Sequence, residues 1–296
     1  MNENFLKIKL ILNPVAGGGR AKAAAIKIEE ILDKADIPYS LDTTYRAGGG
    51  TILAKRAAEV GFDLIVGIGG DGTLNEIING MAGSQVALGV VPAGFENNFA
   101  RMLGLPIGNV EEAIDVFIDG RSRTIDIGKI NHRYFLNGIN IGLDAVVAKK
   151  MEDKKHRNFS INFKNTLKTI FGYKLPTVNV SIPGKNINAK IVSIAIGNGS
   201  CFGGGFYYTP EAELDDGFLD VCLIRGISKF RMLRNTYKVA KGKHTTLGYT
   251  TMFRTKEISV NSSENLPIAV DGEIFTGDRP YHIDILHSKL RVKSKI

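Results

Sequence analysis

The sequence predicts an α/β fold in two parts: an N-terminal doubly wound domain over residues 1–130 and a C-terminal β-sandwich domain over 131–296. Three observations carry this expectation. Strand and helix signals alternate with short connections through the first 120 residues, which implies right-handed crossovers around a parallel sheet. After about residue 123 the texture turns to short alternating strands separated by turn residues. Between a strand and a helix lies the glycine-rich turn GIGGDGTLNEIING, residues 67–80, where open α/β sheets place their ligand loops.

The elements follow in order. LKIKLILN (6–13) is a short strand ending in the turn PVAGGG. AKAAAIKIEEILDKA (21–35) is a helix, with Ile28, Ile31 and Leu32 on one face at i, i+3, i+4. TILAKRAAEV (51–60) is a second helix, stopped by Gly61. DLIVGIG (63–69) is apolar on both faces, as a central parallel strand requires, and QVALGVVP (85–92) reads the same way. NVEEAIDVFIDG (109–120) opens with Asn109 as N-cap and Glu112 three residues on, and Gly120 closes it. Beyond it, residues 123–142 read as a hairpin, and 176–199 as two alternating runs around a turn at Pro183, Gly184, Lys185 and Asn186. Further strands are expected at 218–226, 257–263, 266–273 and 281–294, with a helical insertion near 143–173 and a helix near 228–241.

Composition narrows the class. Hydrophobic residues at 44% and charged residues at 23% are ordinary for a soluble globular protein. No apolar run approaches the ~20 residues that span a bilayer, and MNENFLKIKLILNP lacks the pattern of a signal peptide. Cys201 and Cys222 form no CxxC, so they are expected to be inert buried thiols in a reduced cytoplasm. The net charge of +8 is uneven: residues 1–130 hold 13 Lys/Arg against 16 Asp/Glu, and 131–296 hold 25 against 14. The second part therefore carries all the basicity.

Asp71 is the puzzle of the glycine-rich turn. Gly67, Gly69 and Gly72 satisfy GxGxxG, but a carboxylate among phosphate-binding N–H groups repels its ligand unless a cation intervenes. Mg²⁺ bridging carboxylate and phosphate removes the objection, so Asp71 points to a nucleoside triphosphate with magnesium rather than a dinucleotide. Thr73 and Glu76 also fit a capping box, and Leu74, Ile77, Ile78 and Met81 make a buried stripe. No GxxxxGK[ST] is present, which excludes a P-loop NTPase.

GGDGTLNEIING resembles the signature of the diacylglycerol kinase catalytic domain, shared by bacterial lipid kinases and sphingosine kinases. Four further segments follow the same pattern in order: NPVAGGGRA, VPAGFENNFARMLGLP, IGNGSCFGGGFYYTPEAELDDGFLDVCLI and AVDGEIF. The resemblance implies a nucleotide-binding first domain, ATP as donor, Mg²⁺, and a lipid acceptor at the membrane surface. It places the phosphates on Asn13, Pro14, Gly17, Gly18 and Gly19 and on Gly69, Gly70, Asp71, Gly72 and Thr73. Thr44, Asn75, Glu76, Phe95 and Asn98 complete the nucleotide set. The family's catalytic base lies in the DGE turn, so Asp271 or Glu273 is the candidate proton acceptor, with Asp71 as the third catalytic carboxylate. A structural Mg²⁺ is implied at Asp216, with carbonyl oxygens from Glu213 and Phe218.

The second loop departs from the family pattern G-T-x-N-D-F-A-R, reading GFENNFAR. Phe95 replaces a hydroxyl donor and Asn98 a carboxylate, with Glu96 placed to compensate. Two other readings are therefore carried: a catalytically weakened nucleotide- or lipid-binding protein of the same fold, and an enzyme of the NAD kinase type. Residues 149–174 hold eight Lys/Arg against two acids, interleaved with Phe159, Ile161, Phe163, Leu167, Ile170 and Phe171. Residues 225–244 hold seven Lys/Arg and no acid. These stretches favour an anionic membrane over nucleic acid, for which no motif is present, and imply a peripheral place at the inner membrane face. A homodimer is the oligomer considered. The glycine run FGGGFYY (202–208) suits either an acyl cleft or a bulge.

Overall fold

A computed structural model describes residues 6–152 and 159–295, without the side chains of 151–165. The chain divides into two compact units, residues 1–127 with 287–296, and residues 128–286.

The first unit is the doubly wound part. Its strands are β1 (Ile8–Leu12), β2 (Tyr39–Thr43), β3 (Leu64–Gly69) and β4 (Ala87–Pro92). Its helices are α1 (Arg20–Lys34), α2 (Gly49–Val60), α3 (Asp71–Met81), α4 (Asn98–Met102) and α5 (Val110–Asp119). The strands run parallel in the order β2-β1-β3-β4, and every residue of β1 and β3 is buried. Leu10, Ile28, Leu32, Leu64, Val66 and Phe117 lie in one core cluster. Helix ends follow their sequence signals: Gly61 ends α2 at φ 84°, and Asn109 accepts from the Glu112 N–H at 3.2 Å. Because the winding reverses between β1 and β3, a crevice opens at their carboxyl ends.

The second unit begins within β5 (Arg121–Ile130) and continues through β6 (Arg133–Phe135), β7 (Gly138–Gly142), α6 (Leu143–Glu152) and α7 (Phe159–Gly172). Then come β8 (Thr177–Ile182), β9 (Lys185–Gly197), β10 (Leu219–Arg225), α8 (Lys229–Ala240), β11 (Thr250–Thr255) and β12 (Glu257–Asn261). A short hairpin of β13 (Ile268–Val270) and β14 (Glu273–Phe275) precedes β15 (Tyr281–Ser294). Two antiparallel layers share β9. Its first half pairs with β8, and its second half lies between β7 and β10. Their inner faces meet in one cluster that includes Ile139, Val180, Ile194, Val221, Val260 and Ile283.

Some local features differ from the sequence reading. Within 123–142 only β5 and β6 form a hairpin; β7 leaves it to pair with β9 and β13. Ile182 pairs with Lys185, so the β8–β9 turn is Pro183 and Gly184 alone, with Gly184 at φ 73°. Residues 287–296 return to the first unit, where Arg291 and Val292 align parallel with Ala87 and Leu88 of β4. The strand–helix alternation carries no sign of that return. Buried Asp126 helps to fasten it, 2.8 Å from His287 Nδ1 and accepting the Ser288 N–H at 2.7 Å. Among the described residues no helix is long and apolar enough to cross a membrane.

Candidate functional site

Three turns meet at the carboxyl ends of β1, β3 and β4. In the first, Gly17, Gly18 and Gly19 take left-handed φ of 60°, 72° and 96°. A Cβ on Gly17 would lie 2.0 Å from the Ala93 carbonyl oxygen, so only glycine fits. A Cβ on Gly94 would lie 2.4 Å from Gly70 Cα, which makes the second and third turns touch backbone to backbone. The Asn13 amide donates to Thr73 Oγ1 at 3.0 Å and fixes the first turn to the start of α3. The result is a side-chain-poor floor beside the N-termini of α1 and α3, the arrangement that attracts phosphate.

Arg20 is a residue the sequence reading missed. Its guanidinium donates to the Gly17 carbonyl at 3.0 Å and to the Gly94 carbonyl at 2.5 Å, tying the first turn to the third. It also lies over the exposed Phe95 ring, 5.0 Å from the centroid. The signal was available: a cation in the first turn of α1 opposes the helix dipole and needs a local reason.

Asp71 acquires a duty that its sequence context hides. Its Oδ2 accepts from the Asn98 N–H at 3.0 Å and its Oδ1 from the Phe99 N–H at 2.9 Å. The carboxylate in the glycine turn therefore caps the start of α4. The Asn98 amide in turn donates to Glu96 at 2.9 Å, so Asp71 and Glu96 are linked through one residue. Glu76 has a different partner from the one the capping box predicts. Its two oxygens accept from Gly48 and Gly50 N–H, each at 2.8 Å, and cap α2. The reason is that α3 already starts at Asp71 with Gly70 as N-cap, leaving Thr73 inside the helix. Asn75 is buried on α3 and accepts from Asn79. Thr44 is buried beside a depression of about 360 Å³ walled by Leu41, Tyr45, Arg46, Ile52 and Leu53.

In the second unit the DGE turn separates its two carboxylates. Asp271 and Gly272 have φ of 48° and 86°, and Val270 pairs with Glu273, the signature of a two-residue type I′ hairpin. Asp271 is only 8% exposed, and its carboxylate accepts backbone N–H groups from Leu136 (2.8 Å), Asn137 (2.8 Å) and Gly138 (3.0 Å). The Glu273 side chain is 44% exposed and pairs with the Arg133 guanidinium at 2.5 Å. Asp271 is a buried latch, whereas Glu273 is an accessible carboxylate.

Asp216 is engaged within the chain. Its Oδ1 accepts from the Phe218 N–H at 2.9 Å, its Oδ2 pairs with Arg254, and Arg254 also lies 4.7 Å from the Phe218 ring centroid. A guanidinium thus stands beside the carboxylate that the resemblance implies as a Mg²⁺ ligand. Among the described residues no group of three or more His, Cys, Asp or Glu clusters as a metal site. Nearby, burial raises Asp220 to about 6, against a lowering by Arg254 at 3.4 Å.

Beneath α7 and α8 lies an apolar cavity of about 60 Å³, whose walls include Leu143, Ile170, Phe206, Tyr208 and Met232. Phe206 and Tyr208 come from the FGGGFYY run, which closes on itself through mutual Phe202–Phe206 backbone hydrogen bonds. Asp144 also lines the cavity, and burial raises its carboxyl despite hydrogen bonds from Tyr208 and Ser193. Burial, with Asp144 adding to it, pushes the Cys222 thiol up to about 12.

The family model described as the diacylglycerol kinase catalytic domain matches residues 7–130. A second, described as the YegS C-terminal NAD kinase beta sandwich-like domain, matches residues 137–294. Diacylglycerol kinase of Bacillus subtilis is 30% identical over 283 residues, covering 90% of this chain and 89% of that one. The chain belongs to the diacylglycerol kinase family. A Staphylococcus carnosus diacylglycerol kinase is 29% identical over 272 residues, 90% of this chain and 88% of its own. A solved Bacillus anthracis structure assigned as a diacylglycerol kinase superposes with a TM-score of 0.80 at 27% identity, covering 99% of this chain and 98% of that one. Membership makes the chain an enzyme, a phosphotransferase with an alcohol acceptor, and implies ATP as its donor. The α/β fold with a β-sandwich second domain, expected from the sequence, is the fold of this family.

Proposed function

We propose that the chain transfers the γ-phosphoryl group of ATP to a hydroxyl of diacylglycerol or a related lipid. The observation that carries this reading is the floor formed by the Gly17, Gly70 and Gly94 turns, which sets the N-termini of α1 and α3 beside a side-chain-poor surface suited to a polyphosphate. The depression beside Thr44 suits the nucleoside, with Leu41, Ile52 and Leu53 offering apolar surface to the base.

Glu273 takes the acceptor proton, because Asp271 has its carboxylate committed to three N–H groups and little exposure. The acceptor oxygen bonds to the γ-phosphorus while the bond from that phosphorus to the bridging oxygen breaks. ADP leaves, and the hydroxyl proton passes to Glu273. Arg133 pairs with Glu273 and orients it before the transfer. Mg²⁺ fits the Asp71 and Glu96 carboxylates, since each oxygen of Asp71 accepts a single backbone N–H and a carboxylate offers about four lone-pair sites. Bound there, it would neutralise phosphate charge.

Phe95 and Asn98 keep the weakened-protein reading alive. At these two positions this chain has an aromatic ring and an amide where the family pattern it resembles has a threonine and an aspartate. Labelled ATP offered with diacylglycerol, monoacylglycerol, ceramide and NAD separates the readings. Label in a lipid product supports the proposal. Label in NAD selects the NAD kinase type, and ATP binding without product selects the weakened protein.

A further inference from the structure

Helix α8 is amphipathic in an unusual sense. It turns Met232 and Asn235 inward, yet its outer face also carries large apolar residues. Phe230 (76% exposed), Leu233 and Tyr237 (65% exposed) stand at i, i+3 and i+7, one continuous stripe. Exposed Phe171, at the end of α7, extends the stripe: its ring lies edge-on to Phe230 at 6.1 Å and 79°. Lys229 donates to the Phe171 carbonyl and holds the two helix ends together. Arg231, Arg234, Lys238 and Lys241 are all exposed around this stripe, and residues 225–244 contain no acid. Residues 153–158 of the other basic stretch, with Lys154, Lys155 and Arg157, lie outside the described residues.

Single exposed apolar side chains need no explanation, but a stripe of four framed by cations does. We propose that the α7–α8 face rests on an anionic lipid bilayer, with Phe171, Phe230, Leu233 and Tyr237 in the headgroup–acyl boundary and the cations at phosphate level. An acidic protein groove would meet the charge. The aromatic tips, however, suit a surface whose apolar layer lies just beneath an anionic one. The proposal rests on the reading that the acceptor is a lipid, which such a surface would deliver.

The chain contains no tryptophan, so Phe230→Trp gives the full-length protein one unique reporter at the centre of the stripe. Its emission is expected to shift to the blue with vesicles of phosphatidylcholine and phosphatidylglycerol, and not with phosphatidylcholine alone. In sedimentation, Phe230→Ser with Tyr237→Ser, and separately Arg231→Glu with Arg234→Glu, should each weaken binding to the anionic vesicles about tenfold or more. Turnover of a short-chain diacylglycerol dispersed below its aggregation limit should stay at wild-type level in both pairs. Failure of turnover on every lipid would reject the kinase reading without touching vesicle binding. Wild-type vesicle binding in both pairs overturns the proposal. So does a dimer that the serine pair converts to monomer, which would make the stripe a contact between copies.

Discussion

Two Asp-Gly turns, one in each unit, invite comparison. Asp71 opens a helix and Asp271 opens a hairpin, yet both carboxylates accept backbone N–H groups from a distant segment, two for Asp71 and three for Asp271. They differ in depth. Asp271 is buried at a left-handed φ, whereas Asp71 is half-buried at the start of a helix. In each turn the aspartate fastens backbone, and beside the second Glu273 keeps an accessible carboxylate. An acidic residue inside a signature is thus not thereby the reactive one.

The largest effect expected from this comparison is on stability. Asp271→Ala strands three N–H groups, at about 1–3 kcal/mol for each buried one, so a loss of at least ~3 kcal/mol is expected by urea denaturation. Asp71→Ala removes a helix cap and should cost only ~1–2 kcal/mol. Equal losses would erase the distinction between the two turns.

A smaller effect sharpens the first turn alone. Asn98→Asp should lower the Mg²⁺ concentration needed for half-maximal turnover, because a carboxylate binds this cation better than an amide. Adding Phe95→Thr should raise activity further, by up to the ~1.5–3 kcal/mol of a charge-assisted hydrogen bond. An unchanged Mg²⁺ curve in a fast wild-type enzyme would show that the loop is not a weakened metal site.

The smallest effect tests burial of charge in the second unit. Asp220, raised from 3.8 to about 6 mainly by burial, favours the fold while protonated. Its contribution is present below pH 3.8 and is lost as pH rises through about 6. Relative to Asp220→Asn, the wild type should therefore lose stability between pH 4 and 7. A flat difference over that range would place the carboxylate in a wetter site.

Much of this was legible in the sequence because it is local. Strand β3 is apolar on both faces, Gly61 stops α2, and Asn109 caps α5 through residues within four positions of one another. What the sequence hid lies in long-range pairing. Glu76 satisfies the T-x-x-E pattern, yet it caps a different helix 26 and 28 residues away. Asp216, implied as a cation ligand by resemblance, also pairs with Arg254, 38 residues on. The return of β15 to β4 joins residues more than 200 positions apart, and no periodicity announces it. Asp271 and Glu273 stand as equal candidates in the sequence, because only the type I′ turn sends their side chains to different surroundings.

Asp271 is proposed to hold the turn while Glu273 takes the proton. Turnover and the urea midpoint measured side by side for Glu273→Gln and Asp271→Asn test it most directly. Glu273→Gln should lower kcat by ~10²-fold or more with the midpoint unchanged, as loss of a general base does. Asp271→Asn should lower the midpoint while the folded enzyme keeps kcat within about tenfold of wild type. The reverse pattern, a stable Asp271→Asn without turnover beside a fully active Glu273→Gln, would contradict the assignment and move the base to the buried carboxylate.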